Sequence, residues 1–261
     1  MPYALITGGS KGIGYAIAEA LARRSFDLVL IARHPDALLE AKQILENKYN
    51  VHVQVYNCDL SKENSAINVA EFCMENNIDL QILCNSVGIG GSEDYLNSSL
   101  PDLQFMVALN IGAMMSLTME LLPLLKKNTP SYILNVSSMA AFAPIPMKNI
   151  YSATKSAILY FSYSLRYQLK KHKVSVSVLC PGPVFTKPEI EKVTIDQLGN
   201  LGKLMAVSPQ RVGEIAVGGL LNKKLVIIPG VISKLMSAVI RVIPRRLITH
   251  IYYKMGNQKM K

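Results

Sequence analysis

Thr7-Gly8-Gly9-Ser10-Lys11-Gly12-Ile13-Gly14 follows a short apolar run, Tyr3–Thr7, and leads into the helical pattern Ile13–Arg24. A strand, a glycine-rich turn and a helix, in that order, decide the fold. Glycines at 8, 12 and 14 let backbone N–H groups come close to an anion seated on the helix N-terminus, where the peptide dipoles favour negative charge. A pyrophosphate suits such a seat. The spacing is G-x-x-x-G-x-G, and its place between strand and helix separates it from a merely tight turn.

The same alternation continues outward. Further β-rich apolar runs occupy Asp27–Ile31, Val51–Tyr56, Leu80–Cys84, Tyr132–Val136, Val174–Leu179 and Leu225–Ile228. Helical patterns fill the gaps: Pro35–Tyr49, Lys62–Asn76, Pro101–Lys127, Tyr151–Lys171 and Pro209–Leu221. Strands alternating with helices indicate βαβ units and a parallel sheet. Several strands are apolar without alternation, as expected when helices cover both faces. With no repeat and no linker, one α/β domain over residues 1–261 is expected.

Half of the residues are hydrophobic and 18% are charged, which excludes a disordered chain. The net charge of +10 is unevenly spread: Glu214 is the last acidic residue, and nine Lys or Arg follow it. Such a basic tail suits an anionic surface or plain solvent, and no recognition motif accompanies it, so nucleic acid is not an expected partner. Cys58, Cys73, Cys84 and Cys180 show no C-x-x-C spacing and are expected as free thiols in a reducing compartment. The four histidines form no metal-binding pair, so no metal site is expected. A strand starting at Tyr3 leaves no room for a leader, and Leu225–Ile243 is broken by Pro229, Gly230, Lys234 and Arg241. A cytoplasmic setting is therefore expected, with peripheral membrane contact the less favoured reading.

A second stretch carries the chemistry, Tyr151-Ser-Ala-Thr-Lys155, with Ser138 upstream. Residues four apart lie on one helix face, so an ammonium stands beside a phenol. A free phenol titrates at roughly 10, and a nearby cation is expected to lower that value toward the range useful for acid–base catalysis. Ser138, from a strand end, can hold the carbonyl oxygen that receives the proton.

Taken in order, T-G-x-x-x-G-x-G, an Asn-led turn, a Ser, Y-x-x-x-K and P-G resemble the short-chain dehydrogenase/reductase family over essentially the whole chain. The resemblance implies a doubly wound, Rossmann-type parallel sheet of seven strands with helices on both faces. It implies an NAD(P)(H)-dependent oxidoreductase acting on a carbonyl or secondary alcohol, with Ser138, Tyr151 and Lys155 catalytic and Asn110 anchoring a proton relay. Gly8, Ser10, Lys11, Gly12, Ile13 and Gly14 are the implied dinucleotide contacts of the first turn. Asp59 and Leu60 follow at the adenine, Asn85 and Gly88 after the fourth strand, and Tyr151 and Lys155 at the ribose. Pro181, Gly182, Val184 and Thr186 close on the nicotinamide. The turn departs from the family at Ser86 and Val87, where N-N-A-G is usual. NAD-using members usually place an Asp at the end of the second strand; here Ala32 is followed by Arg33, with Lys11 nearby. A guanidinium suits a phosphate, which favours NADP(H).

The resemblance also implies a homodimer or homotetramer, and Tyr160, Tyr163 and Tyr167 read as core or subunit-interface residues. Residues 187–207 are expected to form a substrate lid. The tail, 231–261, reads as basic and amphipathic, with Lys234 and Arg241 on one face and Leu235, Met236, Val239 and Ile243 on the other. Its family parallels point to an apolar ketone, such as a ketoacyl or steroid-like substrate. The alternative is a non-catalytic dinucleotide sensor or scaffold, a class that typically lacks the Tyr or the Lys retained here.

Overall fold

The computed structural model describes residues 1–90, 95–186, 190–192, 194–195 and 199–257. Seven strands form one parallel sheet in the order β3-β2-β1-β4-β5-β6-β7. They are β1 (Tyr3–Thr7), β2 (Asp27–Ala32), β3 (Val53–Asn57), β4 (Leu80–Asn85), β5 (Ser131–Val136), β6 (Val174–Leu179) and β7 (Val226–Ile227). The order reverses between β1 and β4, so a crevice opens at their carboxyl ends, where open α/β sheets bind ligands.

The strands alternate between two cores. Ala4, Ile6, Leu28 and Leu30 face one side, against α1 (Gly12–Ala22), α2 (Pro35–Tyr49) and a later helix, Pro209–Leu221. Leu5, Val29 and Ile31 face the other, against α3 (Ser65–Glu75) and α5 (Ala113–Lys127). Because each residue of these strands meets a helix layer, the runs are apolar throughout.

The expected helix Pro101–Lys127 is divided into α4 (Leu100–Val107), a π-helical turn at Ala108–Gly112, and α5. Among the described residues, Leu100–Lys127 is the one helical run long and apolar enough to cross a membrane, yet Met106, Leu109, Leu117, Leu121 and Leu125 are buried in the protein. After β5 come α6 (Asn149–Leu169), α7 (Asn200–Met205), α8 (Pro209–Leu221), α9 (Val231–Val242) and α10 (Arg245–Asn257). Ser208 caps α8 by accepting from the Arg211 N–H, and Ser99 caps α4 the same way through Asp102.

Two expectations are narrowed. Tyr160 and Tyr167 are exposed and not core, while Tyr163 is half-buried. The third helix begins only at Ser65, after Asn64 in a left-handed conformation. Within the expected lid, residues 187–189, 193 and 196–198 lie outside those described; 190–192 and 194–195 are helical, and α7 with the segment joining it to α8 completes the range.

Candidate active site

The glycine turn leaves β1 at Thr7 and enters α1. A Cβ on Gly14 would stand 2.2 Å from the Gly8 carbonyl oxygen, so no side chain fits there while the turn stays closed. Gly12 has φ +62, a conformation that other residues adopt only with strain. Unlike α4 and α8, α1 has no side-chain cap: Lys11 stands at the N-cap position without capping anything. No acidic residue occupies its first turn. The N-terminal N–H groups of α1 are thus left to an anion. The Thr186 side chain lies over this turn, 3.5 Å from a Cβ built on Gly12.

Thr7 ties the crevice together. Its hydroxyl accepts from the backbone N–H groups of Ser86 (2.9 Å) and Val87 (3.0 Å). The turn after β4 is thereby pinned beside the glycine turn, and the Ser86 and Val87 departures leave this contact intact. Sequence reading missed Thr7, although a Thr closing a strand beside a glycine turn is a visible signal.

On α6, Tyr151 and Lys155 sit one helical turn apart, with the Lys155 Nζ 5.8 Å from the phenol ring centre. The Ser138 hydroxyl accepts from the Ala140 N–H (3.1 Å) and lies near enough to the Tyr151 phenol to favour its charged form. Lys155 donates to the Val136 carbonyl (3.1 Å), and Ser137 donates to the Lys155 carbonyl (2.8 Å). Strand β5 therefore supplies both the serine and the anchor for the lysine. A Cβ on Gly88 would meet Asn110 Oδ1 at 3.0 Å and Lys155 Nζ at 3.3 Å, which brings three elements to one point.

The electrostatics differ from expectation. Burial pushes the Tyr151 phenol above its ordinary value of 10.0, and the Ser138 hydroxyl only partly opposes it. Burial lowers the Lys155 ammonium from 10.5 to about 8, against a small opposing effect from Cys180. In this protein the same desolvation acts on both partners and sets the direction of each shift.

Asn110 is buried at the π turn. Its Oδ1 accepts from the Ile89 N–H (2.8 Å), and its Nδ2 donates to the Ile89 carbonyl (3.0 Å) and to Thr154 Oγ1 (3.1 Å). The wider turn carries the side chain to that clasp. Beyond the end of β3, burial alone would raise the Asp59 carboxyl. Two hydrogen bonds from Ser61 and the Arg33 charge outweigh it and hold the group below its usual value. Arg33 and Lys11 are both exposed beside the turn.

A comparison with known families matches residues 2–194 to the model described as short chain dehydrogenase. The chain belongs to the short-chain dehydrogenase family. Among its relatives, the very-long-chain 3-oxoacyl-CoA reductase-A of Danio rerio is 32% identical over 200 residues, covering 75% of this chain and 62% of that protein. The chain thus spans less than two thirds of the length of the curated relatives it matches. A short-chain dehydrogenase from Sphingobium yanoikuyae in complex with NADPH is 27% identical, with TM-score 0.78, covering 94% of this chain and 97% of that one. L-sorbose reductase from Gluconobacter frateurii, complexed with NADPH and L-sorbose, is also 27% identical at TM-score 0.78, covering 87% and 94%.

Not every expected contact of this family faces the crevice. The Asn85 side chain turns into the sheet, where Nδ2 donates to Asn135 Oδ1 (2.9 Å) and Thr118 Oγ1 (3.1 Å). Its Oδ1 is buried without a hydrogen-bond partner among the described residues. Leu60 is buried in the core, so it has only backbone to offer. Ile13 packs partly against the core, and Ser10 is half-buried in the turn. Pro181 accepts from the Met139 N–H (2.9 Å), and Pro183 from the Val207 N–H (3.2 Å), so the segment running through Gly182 and Val184 is fastened on both sides. Among the described residues no cluster of His, Cys, Asp or Glu could hold a metal ion.

Proposed function

We propose that this protein is an NADP(H)-dependent oxidoreductase that interconverts a carbonyl and a secondary alcohol on an apolar substrate. The observation that carries the reading is the approach of Ser138 to the Tyr151 phenol, with Lys155 one helical turn away, at the strand ends that also hold the uncapped helix α1.

A bound dinucleotide would supply or accept hydride at its nicotinamide ring. Its pyrophosphate would rest on the N–H groups of Gly12, Ile13 and Gly14, with Arg33 and Lys11 offered to a ribose phosphate and Asp59 to the adenine. Val184, Thr186 and the 181–182 turn would border the nicotinamide. In the reducing direction Ser138 holds the substrate oxygen and Tyr151 donates its phenolic proton to it. A phenol kept protonated by burial suits a proton donor. Lys155, poised at about 8, is suited to return that proton. Asn110 spends its side chain on Ile89 and Thr154, so we assign it to holding the 88–89 backbone around this exchange and keep its part in the relay indirect.

The ketoacyl and keto-sugar reductases among its relatives and neighbours support a ketone substrate, and the apolar tail beside the site favours the ketoacyl kind. For the oligomer, exposed Met115 and Met119 on α5 with Tyr160 and Tyr167 on α6 offer a surface for a second copy. Four free thiols fit a reducing cytoplasm.

The test is Tyr151→Phe. It should bind NADPH as the parent does, by cofactor fluorescence titration, and lose turnover by about a thousandfold or more across a panel of ketones. Reduction at a near-parental rate would overturn the mechanism.

A further inference from the structure

Helix α9 is inside out. Its buried face carries Ser233, Ser237 and Ile240, with Ser233 fully covered and Ser237 4% exposed. Its solvent face carries Val231, Leu235, Val239 and Val242, at helical spacings of four, four and three, with Leu235 63% and Val242 81% exposed. A surface helix of a globular protein normally turns its large apolar residues inward. Small residues face inward here because α9 runs close over the segment at the active site: a Cβ on Gly182 would meet Ser233 Oγ at 2.6 Å. The apolar stripe is therefore left outside.

Helix α10 repeats the arrangement. Ile248 is buried and Arg245 donates to the Phe142 carbonyl, which fixes the inner face. Leu247, Ile251 and Met255 form an exposed stripe one turn apart, and Arg246, His250 and Lys254 form an exposed stripe beside it. On α9, Lys234 likewise flanks the apolar residues, while Arg241 lays its guanidinium over the Phe142 ring, 4.3 Å from its centre. No acidic residue follows Glu214 in the sequence, so nothing in either helix offsets these cations.

We propose that α9 and α10 seat the protein on an anionic lipid surface, with their outer apolar stripes in the headgroup boundary and their cations on lipid phosphates. Charge decides the occupant. A second copy would bring the same uncompensated cations against this face, whereas an anionic bilayer matches both stripes at once. Because Ser233, on the opposite face, rests on Gly182, α9 itself stands between the seated stripe and the site. The seating itself stands on α9 and α10 alone, not on the catalytic reading.

Co-sedimentation of the full chain with vesicles tests it, using phosphatidylcholine alone and phosphatidylcholine with about a third phosphatidylglycerol. The parent should pellet with the anionic vesicles and far less with the neutral ones. Leu235→Asp with Val239→Asp should lower the partition coefficient at least about tenfold. Arg246→Glu with Lys254→Glu should lower it by about fivefold or more per cation, with a matching loss in high salt. Thermal melts and NADPH titration of the same variants should match the parent, since all four residues are exposed. Equal pelleting with neutral vesicles, or anionic binding that both variant pairs leave unchanged, would overturn the proposal. So would an absence of vesicle binding together with a dimer that Leu235→Asp and Val239→Asp turn to monomer by sedimentation velocity. The readout is lipid binding, so its failure leaves the proposed activity standing, and loss of activity in Tyr151→Phe says nothing about it.

Discussion

Replacing Lys155 by Met should change how stability depends on pH, in a direction that burial dictates. The folded protein holds this ammonium at about 8, against 10.5 for the free group. A shift of that size corresponds to about 3 kcal/mol of unfavourable desolvation in the charged form. The sign follows from proton counting. Below pH 8 both states carry the proton, and the folded state bears the full cost. Between about 8 and 10.5 the folded protein has released it while the unfolded chain keeps it, so stability rises with pH. The gain is complete above 10.5 and is lost as pH falls through about 8. The thioether of the Lys155→Met variant has no proton to exchange, and its curve lacks that rise. Urea unfolding of both proteins at pH 7, 8.5 and 10 measures the effect, because Cys180, the thiol that Lys155 acts on, is pushed up to about 12 by burial and stays protonated in the folded state across this range. With m near 2 kcal/mol/M, the separation between midpoints should move by about 1 M across the range. The absolute offset at pH 7 also includes the lost bond to the Val136 carbonyl, worth about 1–3 kcal/mol, so the change with pH is the diagnostic quantity. A separation that stays constant from pH 7 to 10 would show that Lys155 is not a desolvated cation.

Other outcomes follow from single contacts. Gly14→Ala sets a methyl 2.2 Å from the Gly8 carbonyl oxygen. It should cost about 3 kcal/mol, seen as a Tm drop of about 10 °C, and abolish NADPH binding by fluorescence titration. Arg33→Asp should lower the ratio of kcat/KM for NADPH over NADH by about a hundredfold in steady-state assays, with Tm unchanged. Asn110→Ala strands the Ile89 N–H and carbonyl and should cost about 2–4 kcal/mol by urea unfolding. Turnover should fall with it, while affinity for the cofactor falls little.

Much of the sheet was legible because β-branched runs bounded by turns leave few alternatives, and β1, β5 and β6 lie within a residue of expectation. The Tyr151–Lys155 adjacency was legible for a similar reason: a helix fixes which residues share a face. Three features were not. A π turn adds one residue to a helix without disturbing its composition, so nothing in Leu109-Asn110-Ile111 announces it. Amphipathic spacing on Val231–Val242 separates two faces but does not say which meets the protein; that depended on how closely Gly182 lets the helix approach. The tyrosine's proton affinity turned on burial, and burial is a property of the packed molecule, not of a four-residue interval.

The amide pair between β4 and β5 has a bearing on assembly of the sheet. Asn85 and Asn135 stand opposite each other in the register, and Asn135 donates onward to Ser162 of α6. The remaining residues of these two strands are largely interchangeable aliphatics, and sliding one past the other would cost little greasy contact. Slippage would instead strand two amides in a dry interior. This pair acts as an index mark: it sets the strand ends at one height, and so delivers Gly88 and Ser138 to the same level from chains that could otherwise have lined up in several ways.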